Sequence, residues 1–175
     1  MGVVSIGKYR HAFRAYEEQT MHTASVELSM SRPSFWPPIL AGGITAGGLD
    51  LISAYIAYGI GVPRVIAAGL LGTNAIHGGS GAYALGLFLQ FFIAVTAAAI
   101  YYAASRRLEF LKQHALVCGL FYGIVVFLVM NLIILPLSAL HVQGPFELAG
   151  LIRGLLVHMF LVGLPISFSV KRFST

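Results

Sequence analysis

At 175 residues, 58% hydrophobic and only 10% charged, the chain lies far from soluble domains, in which about a quarter of residues carry charge. The formal net charge of +5 does not point to nucleic acid, because most basic residues flank apolar runs, where they set topology and touch anionic lipid; no nucleic-acid partner is expected. A single cysteine, Cys118, rules out an intrachain disulfide.

This composition reads as an all-α, polytopic membrane protein with four transmembrane helices and no room for a separate catalytic domain. The 20 glycines fit helices that approach closely, since lipid provides no hydrophobic drive between them and packing must hold them together.

Residues 1–35 are the least apolar stretch, with Lys8, Arg10, Arg14, Glu17, Glu18, Glu27 and Arg32. They read as a cytoplasmic N-terminal tail, since the first apolar run comes too late for a cleaved signal peptide; Met21 and Met30 are alternative starts. Residues 36–175 form the four-helix transmembrane domain. Its first span is expected over 38–60, opened by Pro37 and Pro38, whose missing N–H groups would be unpaired there anyway. Gly43, Gly47, Asp50, Ala54 and Ala57 recur at steps of three and four, so one face is small and carries a charge.

The apolar piece 65–71 is too short to span and reads as an interfacial or re-entrant helix. A glycine-rich turn, Gly78 to Gly81, then reverses the chain into a second span over 82–104, which holds Gln90 and ends at Arg106 and Arg107. A third span over 114–135 contains Asn131 and is ended by Pro136. The fourth, over 146–169, contains Arg153 and His158 and finishes at Lys171 and Arg172. Lys8, Arg10, Arg14 and Arg32 in the tail, Arg106, Arg107 and Lys112 in the middle loop, and Lys171 and Arg172 at the end stand against Arg64 alone on the other side. By the positive-inside rule both termini are cytoplasmic.

An ionisable group inside a span is costly and normally faces the bundle interior and a partner. At ~1.5 Å per residue, Asp50 lies ~18 Å from the cytoplasmic end of its span and Arg153 ~10 Å from the outer end of its own. These sum to ~28 Å, close to the ~30 Å hydrocarbon thickness, so the opposite charges sit at one level and a buried Asp50–Arg153 ion pair is expected. Gln90, Asn131 and His158 fall into the same polar layer. Gly150 and Gly154 share a face with His158, and with Gly43 and Gly47 they are the expected helix-packing positions. The layer is either structural glue or a polar cavity, open to the outer side, that binds or passes a small solute or protons.

No metal, cofactor or catalytic residue is expected. His114 and Cys118 share a face and His77 could meet His158, but two ligands do not close a zinc site. The Gly78–Gly81 turn lacks phosphate-loop spacing, and Ser80 has no base in a recognisable motif.

Ala41-Gly-Gly-Ile-Thr-Ala-Gly-Gly-Leu-Asp50, the Ala84–Tyr101 segment, Gly119-Leu-Phe-Tyr-Gly-Ile, Asn131 to Ser138, and Glu147 through His158 together resemble the YagU-like family of small bacterial inner-membrane proteins, over most of residues 38–170. The resemblance implies a multi-pass protein of the bacterial inner (plasma) membrane and brings no catalytic residues. The function expected is non-enzymatic: an accessory or self-associating membrane protein whose partners are the lipid bilayer and another membrane protein or itself. The alternative is a transporter or pore for a small solute or protons, using the outer-half polar layer.

Overall fold

A computed structural model of the chain describes residues 10, 11, 13–23, 35–141 and 147–173. The chain divides into two units, Met1–Ser34 and Phe35–Thr175. In the first, the described residues 13–23 are helical and exposed, with Thr20 and Thr23 hydroxyls bonded to carbonyls one turn back. Lys8, Met30 and Arg32 lie outside the described residues.

The second unit holds four helices long and apolar enough to cross a membrane: Trp36–Tyr58, Ser80–Ser105, Ala115–Leu137 and Leu148–Phe173. They are called the first to fourth spans below. The expected boundaries hold to within a few residues, except that the expected start of the fourth span at Phe146 lies outside the described residues. The third span does not stop before Pro136 but runs one residue past it.

Proline explains how the third and fourth spans are built. A proline inside a helix lacks an N–H and crowds the carbonyl four residues back. The chain accommodates this by widening the preceding turn: Met130–Ile134 is a π-helical segment ahead of Pro136, and His158–Gly163 is another ahead of Pro165.

Small residues set the packing. Cβ atoms on Gly43 and Gly47 would run into Val95 and Ala94, which seats the first span on the second; one on Gly42 would press on Ile166, which seats it on the fourth. Ser169 Oγ adds a 2.9 Å bond to Pro38 O. The third and fourth spans meet backbone to backbone, because a Cβ on Gly163 would overlap Gly119 O and one on Gly123 would overlap His158 O. The buried core, including Ile39, Tyr101, Cys118, Ile166 and Val170, gathers at the end of the bundle that carries Trp36, Ser105 and Phe173. There Tyr122 donates to Ala97 O at 2.7 Å, and its ring meets that of Tyr101 edge-on at 4.9 Å.

Toward the other end the spans diverge. The ten-residue helix Val62–Leu71 fills part of that opening. It lies so close to the second span that any side chain at position 86 would strike Pro63 O, and Ala139 N donates to Gly69 O at 2.8 Å.

Replacing Gly163 with Ala forces a methyl into the Gly119 carbonyl and is expected to cost about 1–3 kcal/mol, the scale of overpacking. Gly48→Ala, where nothing lies within 4 Å, is expected to be neutral or to stabilise by up to ~1 kcal/mol. Denaturant unfolding in detergent micelles checks the contrast, and equal stabilities would refute the packing scheme.

Candidate functional site

Asp50 lies on the small face of the first span, half-buried, where the second span presents Gln90. Gln90 Nε2 donates to Asp50 Oδ2 at 2.8 Å and lies 3.4 Å from Gly47 O. A hydrogen bond to a charged group contributes about 1.5–3 kcal/mol, and here it ties two spans together at the level of the charge. No other hydrogen bond and no ion pair reaches the carboxylate among the described residues.

Arg153 is exposed, and among the described residues no ion pair joins it to Asp50. The two charges line one cleft instead of forming the bond expected from the sequence. Counting depth fixes height along the bundle but not rotation about the helix axis. With the observed ends, Asp50 lies ~12 Å and Arg153 ~8 Å from the open end, and between them stands open space.

That space is a cleft of about 480 Å³ between the first, third and fourth spans. Its polar lining includes Asp50, Ser53, Asn131, Glu147, Arg153 and His158. A smaller cavity of about 80 Å³ continues from it, sharing Asp50, Met130 and His158 and adding Gln90 and Ile66. All five polar residues singled out in the spans therefore line one connected pair of cavities. Ile66 reaches this depth from the short helix, which makes that helix part of the wall.

Asn131 and His158 do not bridge spans. Asn131 Nδ2 donates to Phe127 O at 2.8 Å, and His158 Nδ1 donates to Gly154 O at 2.8 Å. Each side chain bonds the carbonyl four residues back at the start of a π-helical turn, supplying a second donor where the helix widens. His158 is further fixed by the Phe127 ring, edge-on at 5.5 Å, and its Nε2 is left as the ring atom free to act in the cleft.

Of the glycines expected to pack helices, Gly43 and Gly47 do so against the second span, and Gly154 does so against the Phe127 ring. Gly150 has nothing within 4 Å and lines the cleft.

Two features escaped the sequence reading. Glu147 stands at the mouth of the cleft, signalled only by being the acidic residue that opens the fourth span. Near the open end, Tyr55 and Tyr83 share a 2.9 Å hydroxyl bond, and the Arg64 guanidinium lies over the Tyr83 ring at 5.5 Å with its Nε buried and unbonded. Among the described residues no three His, Cys, Asp or Glu side chains gather closely enough to hold a metal.

No family model, curated protein or solved structure matches the chain.

The native Cys118 is buried and is expected to resist a membrane-impermeant thiol reagent, whereas a thiol introduced by Gly150→Cys is expected to react in intact vesicles from the cleft side. Mass spectrometry of the labelled protein reads both; an unreactive Gly150→Cys protein would mean that the cleft is closed to water.

Proposed function

We propose that this is a small-solute transport protein of the bacterial inner membrane, which holds a polar solute in the cleft between the first, third and fourth spans. The observation that carries the reading is an ionisable carboxylate inside a span, with no ion-pair partner among the described residues, on a cavity large enough for a small molecule. Intramembrane charges of this kind mark substrate or proton pathways, and a concave site with few convergent polar groups is the usual form of a small-molecule site.

The roles follow from chemistry and position. Asp50, steadied by Gln90, takes a cationic or hydrogen-donating group of the solute. Arg153 stands across the cleft for an anionic group, so a small zwitterion or amine suits the site better than an anion. His158 offers Nε2 as a proton donor or acceptor, and Glu147 at the mouth attracts cations toward Asp50. Both termini lie in the cytoplasm in this reading, since Arg106, Arg107, Lys112, Lys171 and Arg172 cluster at the tightly packed end of the four spans, and the cleft then opens outward. The Val62–Leu71 helix is re-entrant, and the YagU-like resemblance agrees with a small multi-pass protein.

A second reading, an accessory or self-associating subunit, draws on one observation. An almost wholly apolar groove of about 290 Å³ separates the second and third spans beside Phe92, Tyr122 and Val125, where a helix of another protein could lie. Gly43, Gly47, Gly119, Gly123 and Gly163, which would otherwise argue for association, are used inside the chain.

Uptake of a panel of labelled amines and amino acids into proteoliposomes, with proton flux recorded alongside, tests the proposal. Asp50→Asn keeps the size of the side chain and an acceptor for Gln90, and is expected to lower transport about 10- to 100-fold, the equivalent of one charge-assisted bond, while the protein still elutes as a folded species. Equal flux in wild type and Asp50→Asn, or a wild type that moves nothing and purifies with a stoichiometric protein partner, would favour the second reading.

A further inference from the structure

Beside the cleft, on the exposed side of the first and fourth spans, runs a groove of about 570 Å³. Its apolar walls are Leu49, Ile52 and Ile56 on one side and Leu161 on the other. Ser53, Ala57 and Arg153 line both this groove and the polar cleft, so Arg153 stands on the rim between them.

We propose that this groove binds an anionic phospholipid of the bilayer, its phosphate on the Arg153 guanidinium and one acyl chain along Ile52, Leu49 and Leu161. Three observations carry the assignment. The guanidinium is exposed at the edge of an apolar surface and has no carboxylate partner among the described residues, and a charge so placed in a membrane requires an anion or a path to the interface. The site also has the polarity of an amphiphile along the membrane normal. Arg153 lies ~8 Å from the open end of its helix, whereas Ile52 lies ~9 Å, Leu49 ~14 Å and Leu161 ~20 Å in, and Ile56, at ~3 Å, stands beside the headgroup. The charged end thus points to the surface and the apolar end to the midplane, as a lipid's headgroup and chain do. Finally, guanidinium matches phosphate through paired N–H donors, which makes arginine the usual partner where that geometry matters. A second copy of the chain would fit this groove less well, because a helix laid along it would leave Arg153 buried without an anion.

The site does not depend on the cleft carrying a solute. The two are nevertheless neighbours: a lipid phosphate on Arg153 would stand as one wall of the cleft in place of a solute's anionic group, which leaves an amine as the solute the cleft would then take.

Native mass spectrometry of protein taken from nanodiscs of phosphatidylglycerol and phosphatidylcholine tests the proposal. Wild type is expected to retain about one phosphatidylglycerol after mild delipidation, and Arg153→Gln to hold it about tenfold more weakly, one bond's worth. Ile52→Trp, which fills the groove and leaves the charge, is expected to lose the lipid while remaining monodisperse, and water-soluble glycerol phosphate is expected not to displace it. Unchanged retention in both variants would overturn the assignment. So would displacement by glycerol phosphate, which would make Arg153 a free-phosphate site, or a wild-type dimer broken by Ile52→Trp, which would give the groove to a second copy. None of these readouts involves solute uptake, so the lipid site and the transport reading fail separately.

Discussion

Contact between the backbones of the third and fourth spans at Gly119, Gly123 and Gly163 determines where the rest of the bundle can close and where it must open. Glycine at these positions removes the side chains that would hold the helices apart, and in lipid such close packing replaces the hydrophobic effect as the force between helices. With the first span seated on both the second and the fourth, three interfaces close at one end around Tyr101, Ile166 and Val170. The helices then diverge toward the other end, where the short Val62–Leu71 helix fills part of the gap. The cleft is thus a geometric consequence of where these close contacts lie.

Two prolines give the open half its detail. Pro136 and Pro165 each follow a widened helical turn, and each turn opens on a polar side chain, Asn131 or His158, that bonds the carbonyl four residues back. Both side chains are thereby placed on the cleft with fixed orientation while the backbone stays satisfied, which a membrane interior requires. Irregular helix of this sort is tolerated where it lines a cavity or is buried in protein, and here it does the former. Asp50 is held differently, by Gln90 across an interhelical gap, so the charged and neutral members of the layer are positioned by independent means.

Much of the fold was legible in the sequence because apolar length alone announces a span, and the prolines and basic residues mark its ends. The layer of Asp50, Gln90, Asn131, Arg153 and His158 was legible as well, since height along a helix follows from residue count. Their partners were not. Rotation about the helix axis decides whether Asp50 meets Arg153 or Gln90, and the π-helical turns at Met130–Ile134 and His158–Gly163 shift that rotation for everything beyond them. Pro136 was read as a stop because its ring opposes an ordinary α-helical turn; the widened turn before it removes that conflict. Glu147 belongs to the mouth of the cleft only through the packing of three helices, which no local pattern encodes.

The account depends on Asp50 being reachable from water through the cleft while it lies within a span. Reaction of the protein in sealed vesicles with a water-soluble carbodiimide and an amine nucleophile, followed by peptide mapping, measures this directly, with Glu147 at the mouth as the internal positive control. Modification at both Asp50 and Glu147, with Asp50 slowed when a transported solute is present, is the result the account requires. Modification of Glu147 alone, with Asp50 intact in folded protein, would contradict it and leave the carboxylate as a dry structural group.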